Sequence, residues 1–278
     1  MRKYAGRSFV VKYGGHVMGN AALSAAFARD IVLLKQVGIH PIVVHGGGPQ
    51  IGEMLGKLDI KTEFIDGLRV SDEKTVEVAE MVLAGRINKE VVSAINAAGG
   101  TAVGLTGKDG KLITARRVSG RKRDPGSAIE KLIDIGLVGE PSHVDTGVLD
   151  VFRKSDLIPV IAPIGQGEDG ATYNMNADTV AGAIAGALRS ARMFLLTDVA
   201  GVLDKSGVLL TDLNAAKVNE LIGDGTISGG MIPKISTCLD AVAKGVEAAV
   251  IIDGRVPHAL LLEIFTARGF GTLVSGTA

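Results

Sequence analysis

The sequence of 278 residues lacks several features that mark particular classes of protein. It has no tryptophan and a single cysteine, Cys238, so no internal disulfide can form. Its 30 basic and 30 acidic residues cancel, which leaves no overall field to attract nucleic acid or an anionic membrane. We see no signal-peptide pattern, in which a charged segment precedes an apolar one, and no apolar run of the roughly 18 residues that a transmembrane helix needs. These absences favour a cytoplasmic protein that binds small molecules, with no nucleic acid and no membrane as partner.

Aliphatic residues are abundant, and hydrophobic residues make up 46% of the chain. Apolar runs of strand length alternate with helical patterns, which predicts a mostly parallel sheet covered on both faces, a three-layer αβα sandwich. Residues 107–142 lack a clean helical pattern and predict hairpins with a solvated basic tip, and a second hairpin is expected over 201–210. Strands are predicted at residues 10–13, 41–45, 101–106, 158–163, 193–198 and 248–253, and helices at 22–36 and 49–57.

Four glycine-rich stretches follow strands or open helices, where free backbone N–H groups bind phosphates or carboxylates. The sequence GGGPQIG has Ile51 where a dinucleotide-binding fingerprint needs its last glycine. The sequence GLTGKDG has Asp109 where a P-loop needs Ser or Thr, and the H-R-D loop of protein kinases is absent. The stretches are KYGGH at Lys12, VVHGGGPQIG at 43–52, GLTGKDG at 104–110 and GTISGGMIPK at 225–234.

The first and the last of these stretches contain Lys12 and Lys234, and an aspartate, Asp178, lies between these two lysines in the chain. A carboxylate substrate is already ionised at neutral pH, so its attack on the γ-phosphate of ATP needs no base. The reaction needs positive charge instead, which lysines, N–H groups and Mg²⁺ supply. We therefore interpret both lysines as clamps on the phosphoryl group and Asp178 as the carboxylate that orients them. Asp178 could alternatively be the N-cap of a helix.

Two histidines beside glycines, His16 and His45, raise the question of a metal site. No third ligand accompanies them at a useful spacing. We expect hydrogen-bonded structural histidines and no metal bound by side chains.

Nearly the whole chain resembles the amino acid kinase family, through segments that occur in the family's order. Within the family it is similar to the members that phosphorylate the γ-carboxylate of N-acetyl-L-glutamate in arginine biosynthesis. The segments are VVKYGGH, VVHGGGPQI, GLRVSDEKTVEVAEMVLAGRINKEVV, AVGLTGKDGKL, IPVIAPIGQGEDGATYNMNAD, LLTDVAGVLD, GGMIPK and HALLLEIFTARGFGT.

The resemblance implies a role for each residue at a matching position. Lys12 and Lys234 stabilise the transferring phosphoryl group, and Asp178 holds both lysines. Gly46, Gly47 and Gly48 lie along the acyl substrate and the γ-phosphate, while Arg69 and Asn174 grip the α-carboxylate of N-acetyl-L-glutamate. The nucleotide, ATP with Mg²⁺, is expected to contact Gly14, Gly15, Thr197, Asp198, Gly230 and Met231.

The resemblance also bears on assembly and regulation. It implies one domain over residues 1–278, with an amino-terminal lobe (about 1–170) for the acyl substrate and dimerisation, and a carboxyl-terminal lobe (about 171–278) for the nucleotide. Family dimers are built around the helix containing TVEVAEMVLAG, and arginine-inhibited members form hexamers through an extra amino-terminal helix, of which MRKYAGRSF resembles only the tail. His258, Glu263 and Gly271 match a site for arginine. We therefore expect a homodimer with a weak or absent response to arginine.

Two alternative functions remain open on the same fold. One is a kinase for a carrier-linked aminoadipate or glutamate, although Arg69 in GLRVSD favours a free small acid. The other is a ligand sensor without catalysis, which would not need to keep both lysines and Asp178.

Overall fold

The structure is a computed structural model, and it describes residues 2–14, 17–123, 130–266 and 269–276. Its strands are β1 Ser8–Tyr13, β2 His40–His45, β3 Phe64–Ile65, β4 Leu68–Arg69, β5 Thr101–Thr106, β6 Ile113–Arg123, β7 Glu130–Val144, β8 Leu157–Ala162, β9 Ile164–Gly167, β10 Thr172–Met175, β11 Arg192–Thr197, β12 Asp212–Leu213, β13 Ala248–Asp253 and β14 Thr272–Ser275. Its α-helices are α1 Ala21–Gln36, α2 Gly48–Lys57, α3 Glu73–Glu80, α4 Asn88–Ala97, α5 Gly147–Arg153, α6 Ala177–Ala187, α7 Ala215–Gly223, α8 Met231–Ala243 and α9 Ala259–Phe265.

The main sheet has eight strands in the order β12-β14-β13-β11-β1-β2-β8-β5. All neighbouring strands are parallel except β13 and β14. Parallel strands require a crossover connection, and the βα alternation of the sequence supplies helices for it. The predicted three-layer sandwich with a mostly parallel sheet is confirmed, and each of the six predicted strands lies within two residues of its expected position.

Two hydrophobic cores lie on opposite faces of this sheet. Successive side chains of a strand point to opposite faces, so Phe9 and Val11 of β1 enter the core packed against α1, whereas Val10 enters the core packed against α6 and α8. Lys12 has the same parity as Val10. Its side chain is therefore directed to the layer that contains α6, whose first turn carries Asp178.

A second sheet of four strands closes on itself, because β6 and β10 each pair with both β7 and β9. β6 and β7 form the long hairpin that the sequence predicts. Arg116 and Arg117 pair with Glu140 and Asp134 across this hairpin, which agrees with a solvated hairpin arm. Residues 124–129 of the basic tip lie outside the described residues.

Two short hairpins lie outside the two sheets just described. β3 and β4 form a hairpin whose turn residues, Asp66 and Gly67, both have positive φ, as a two-residue Asp-Gly turn requires. In the predicted hairpin over 201–210, Leu203 pairs with Leu209.

Helices α3 and α4 are joined without a break by a π-helical segment, Met81–Ile87. Met81 is exposed, whereas Leu83 is buried in the core. Among the described residues, no helix combines the length and hydropathy needed to cross a bilayer.

Candidate active site

A cavity of about 470 Å³ opens at the carboxyl ends of β1, β2 and β11. Side chains and backbone that meet at this edge of a parallel sheet commonly form ligand sites. The predicted site residues that line the cavity are Lys12, Gly14, Gly46, Gly47, Gly48, Arg69, Asn174, Asp178, Thr197, Asp198, Gly230 and Lys234. The fold therefore brings together most of the residues that the sequence analysis selected from both halves of the chain.

Asp178 is bridged by the two predicted lysines. Lys12 Nζ forms an ion pair with Asp178 Oδ1 at 2.9 Å. Lys234 Nζ donates a hydrogen bond of 2.9 Å to Asp178 Oδ2. The N-cap of α6 is Asn176, whose side chain accepts from the backbone N–H groups of Asp178 and Thr179. The alternative interpretation of Asp178 as a helix N-cap is therefore wrong, since its carboxylate is free to hold the lysines.

The charges of these three groups sum to +1, in a largely buried position. Burial by itself raises the pKa of the Asp178 carboxyl, but the nearby ammonium groups of Lys12 and Lys234 outweigh it, and the net pKa lies below the ordinary value. Asp178 is thus an anion at neutral pH. The trio offers one uncompensated positive charge and two fixed ammonium groups to an anionic ligand.

The amino ends of two helices also face this space. Gly47 is the N-cap of α2 and Gly230 is the N-cap of α8, and neither position provides a side-chain cap. At α2 the N–H of Gly48 is the first donor of the helix, since Pro49 has none. At α8 the N–H groups of Met231 and Ile232 already donate to the carbonyl oxygens of Ser228 and Gly229. The dipoles of both helices favour negative charge at these ends. At Gly14, a Cβ atom would lie 2.8 Å from the carbonyl oxygen of Leu196, so only glycine lets the chain pass at this distance.

Arg69 lines the cavity from the β3–β4 hairpin and is buried. Its Nη2 donates a hydrogen bond of 2.9 Å to the carbonyl oxygen of Gly48, and the guanidinium lies 4.6 Å from the centre of the Phe64 ring. Burial lowers the pKa of Arg69, yet a guanidinium stays charged in proteins. Asn174 of β10 lines the same cavity. The two groups supply N–H donors for a carboxylate.

Among the residues predicted for the nucleotide, Gly14 follows β1, Thr197 and Asp198 lie at the end of β11, and Gly230 and Met231 lie at the start of α8. Thr197 Oγ1 donates to Asp198 Oδ1 at 3.2 Å. Met231 is the first residue of α8 and does not line the cavity; its side chain packs against the core on that face of the sheet. Gly15 and His16 lie outside the described residues.

The three residues predicted for arginine lie away from this cavity, around α9. His258 Nδ1 lies 2.5 Å from Oδ1 of the buried Asp30 on α1. Glu263 Oε2 accepts hydrogen bonds from the backbone N–H groups of Phe270 and Gly271. Burial raises the pKa of Asp30, and the contact with His258 offsets part of that rise.

His45, for which the sequence analysis considered a metal site, is fully buried at the end of β2. Its Nδ1 lies 2.9 Å from the carbonyl oxygen of Gly46, and its Nε2 lies 3.2 Å from Asn88 Nδ2. Burial lowers its pKa to about 4. The expected hydrogen-bonded structural histidine is therefore confirmed, and no group of three metal-ligating side chains occurs in the described ranges.

Sequence reasoning missed Phe64, Leu83 and Asn88. Phe64 and Leu83 line the cavity, and Asn88 contacts His45 behind it. Phe64 stands five residues before Arg69, so hairpin register places the two side by side. That spacing was a usable signal for Phe64. The positions of Leu83 and Asn88 depend on the π-helical segment, which no local sequence pattern indicates.

Comparisons with known proteins show which family and which proteins this chain is similar to. Residues 7–253 match the amino acid kinase family. The chain is 64% identical to acetylglutamate kinase of Erythrobacter litoralis over 98% of this chain and 91% of that protein. It is also 64% identical to acetylglutamate kinase of Rhodospirillum centenum, over 99% of this chain and 90% of that protein.

A solved structure also has a similar fold. N-acetylglutamate synthase of Neisseria gonorrhoeae, complexed with coenzyme A and N-acetyl-glutamate, superposes with a TM-score of 0.84 at 25% identity. The alignment covers 100% of this chain and 61% of the synthase. The fold is thus shared with a domain of a longer protein.

Proposed function

Since the chain belongs to the amino acid kinase family, we propose that it transfers the γ-phosphoryl group of ATP to the γ-carboxylate of N-acetyl-L-glutamate. The product is an acyl phosphate, N-acetyl-L-glutamyl 5-phosphate, and the step belongs to arginine biosynthesis. The observation that carries the proposal is the bridge of Lys12 and Lys234 through Asp178, at the amino ends of α2 and α8.

The acceptor needs no general base in this reaction. A carboxylate with an ordinary pKa of about 4.3 is an anion at neutral pH, so one of its oxygens attacks phosphorus directly. The bond from phosphorus to the β,γ-bridging oxygen breaks, and ADP leaves with that electron pair. What the site must overcome is repulsion between two anions and the charge on the equatorial oxygens.

The ammonium groups of Lys12 and Lys234 would offset this negative charge. Lys12 and Lys234 are held in place before the reaction, because each is fixed to Asp178 and each is at least three-quarters buried. Preorganised positive groups stabilise transition-state charge without reorganising during the reaction. The N–H groups at Gly47 and Gly48 add donors on the acceptor side, and those at Gly14 and Gly230 add donors along the phosphates.

Mg²⁺ fits this site through the nucleotide. Asp178 is committed to two lysines, and Mg²⁺ is commonly bound by phosphate oxygens and water with few protein ligands. The ion would neutralise charge on the β- and γ-phosphates when it is bound with ATP.

Arg69 and Asn174 would hold the α-carboxylate of the acceptor. The guanidinium is fixed by the Gly48 carbonyl and the Phe64 ring, so little side-chain entropy is lost when it binds a carboxylate. This arrangement suits a free amino acid of small size, with its α-carboxylate at Arg69 and its γ-carboxylate near Lys12.

Assembly and regulation form a separate part of the proposal. The amino-terminal lobe (about 1–170) would bind the acyl substrate and form a homodimer, and the carboxyl-terminal lobe (about 171–278) would bind the nucleotide. His258, Glu263 and Gly271 would contact an arginine effector. In the described structure, His258 and Glu263 already contact Asp30 and the backbone at 270–271.

The test is hydroxylamine trapping of acyl phosphate with Mg-ATP and one of four acids: N-acetyl-L-glutamate, glutamate, aspartate and N-acetyl-2-aminoadipate. A strong signal with N-acetyl-L-glutamate alone is expected. No signal with any free acid would contradict the proposal and point to a carrier-linked substrate. Binding of ATP without turnover of any acid would instead identify a ligand sensor.

A further inference from the structure

A buried polar network lies directly behind the glycine loop, which we define as residues 46–48. It joins His45, at the end of β2, to Asn88, the first residue of α4. His45 is 0% exposed and Asn88 is 1% exposed. Such groups are costly to bury unless every donor and acceptor is satisfied, so the network must contribute something specific at this position.

The orientation of the Asn88 amide follows from its neighbours. Its Nδ2 donates to the carbonyl oxygen of Val160 at 2.9 Å and lies 3.4 Å from that of Leu105, and both partners can only accept. Its Oδ1 accepts from Lys89 Nζ at 3.1 Å. A flipped amide would place an oxygen against two carbonyl oxygens. Nδ2 is therefore the atom that faces His45.

The tautomer of His45 follows in turn. Because Asn88 Nδ2 is a donor, the His45 Nε2 that it faces at 3.2 Å must accept, and the ring proton resides on Nδ1. Nδ1 then donates to the carbonyl oxygen of Gly46 at 2.9 Å. The N–H group of Gly46 donates to the carbonyl oxygen of Tyr13. Gly46 is thus fixed at both its N–H and its carbonyl group.

The π-helical segment completes the support of the loop. A Cβ at Gly47 would lie 2.4 Å from Ile87 Cδ1 and 2.6 Å from Leu83 Cδ2, so both side chains pack on the loop. A π-helical turn contains one residue more than an α-helical turn. Without that extra residue, everything after it would rotate by about 100° around the helix axis. Asn88 would then no longer face His45.

We propose that Asn88 is a positioning residue for phosphoryl transfer: it holds His45 in the Nδ1–H tautomer, and His45 thereby fixes the Gly46 carbonyl and the direction of the α2 amino end. The inference rests on the proposed function, because that helix end is where the acceptor and the γ-phosphate would meet. The network itself acts through the loop and touches neither substrate.

The experiment combines kinetics with ¹⁵N NMR of the imidazole rings. Asn88→Leu removes the donor to His45 and keeps a similar volume. Val91→Ala, one turn further along α4, is the matched control, since Val91 is buried in the core and its truncation destabilises the helix packing. His45→Asn keeps an amide donor where Nδ1 stands, whereas His45→Leu removes it. The spectrum of His45→Asn also identifies the His45 signal.

We expect the Nδ1–H tautomer in the wild type and a changed tautomer signal in Asn88→Leu. We expect kcat with N-acetyl-L-glutamate to fall about 10- to 100-fold in Asn88→Leu and His45→Leu. Val91→Ala should retain kcat, and His45→Asn should recover most of the loss. KM for ATP should change little, because Thr197, Asp198 and Gly230, which we propose bind the nucleotide, lie outside the loop.

Three results would overturn the proposal. They are an Nε2–H tautomer in the wild type, a kcat for Asn88→Leu equal to that of Val91→Ala, and equal activity for His45→Asn and His45→Leu. If the wild type forms no acyl phosphate, the proposed function fails, while the tautomer signals of the wild type and Asn88→Leu still decide whether the network exists.

Discussion

Lys12→Met tests the central electrostatic argument. Lys12 is 9% exposed on β1, and methionine keeps most of its apolar stem. Asp178 retains Lys234 as a partner at 2.9 Å, so no carboxylate is left unpaired. The substitution therefore changes the charge of the trio from +1 to 0 while it leaves the remaining ion pair in place.

The size of the effect follows from what the ammonium group does. A preorganised donor aimed at transition-state charge contributes about 2.7–4 kcal/mol, which corresponds to about a 100- to 1000-fold change in kcat. We expect kcat of Lys12→Met to fall by at least about 100-fold. The loss should appear in kcat more than in KM, because the charge that Lys12 stabilises develops fully only in the transition state.

Acyl phosphate formation, trapped with hydroxylamine at saturating ATP and N-acetyl-L-glutamate, measures this change. Lys35→Met is the matched control. Lys35 is also partly buried, and its Nζ donates to the carbonyl oxygen of Ser155 at the opposite edge of the sheet. Near-normal kcat for Lys12→Met, or equal losses in the two variants, would remove Lys12 from the mechanism.

Other substitutions test the acceptor side, the glycine loop and the buried histidine. Arg69→Lys should raise KM for N-acetyl-L-glutamate about 10- to 100-fold, since lysine lacks the planar fork, and should leave KM for ATP unchanged in steady-state kinetics; equal rises in both would contradict this. Gly47→Ala places a Cβ 2.4 Å from Ile87 Cδ1, so its free energy of unfolding in urea should fall by about 1–3 kcal/mol. Gly48→Ala, with nothing within 4 Å of the new Cβ, should unfold like the wild type. Burial lowers the pKa of His45 to about 4 in the folded protein, whereas the ordinary histidine pKa of about 6.5 applies to the unfolded chain. Below pH 6.5 the unfolded chain therefore binds more protons than the folded protein. About 3 kcal/mol of stability, fully present above pH 6.5, should be lost as the pH falls through 4. Urea unfolding of His45→Asn should depend less on pH over this range, and identical profiles would refute the assignment.

Much of this structure could be predicted because its signals are local. Strand parity, apolar runs and glycine turns each depend on a few adjacent residues, so β1, β2 and their following helices were found at nearly the correct bounds. Strand parity also explains why Lys12 reaches Asp178. The two lysines were found because a glycine turn at a strand or helix end directs a nearby charge to the ligand edge of the sheet.

The remaining features depend on contacts between distant segments. The closure of the second sheet needs β9 and β10 to meet both arms of a hairpin, and no single segment encodes this. The alternative interpretation of Asp178 as the N-cap of α6 stayed open in the sequence, because Asn176 and Asp178 are both good caps and only the positions of the lysines separate them. The contact between Asn88 and His45 depends on the extra residue in a π-helical turn.

The strand order of the main sheet has a consequence for how the protein is made. β1 lies between β2, which follows it closely in the chain, and β11, which begins at Arg192. At synthesis rates of about 5–20 residues per second, one edge of this buried strand has no partner for roughly 10–40 seconds. Lys234 is made later still. The nascent amino-terminal half thus exposes an apolar strand edge for that interval, and it is the stage at which a ribosome-bound chaperone would have most to protect.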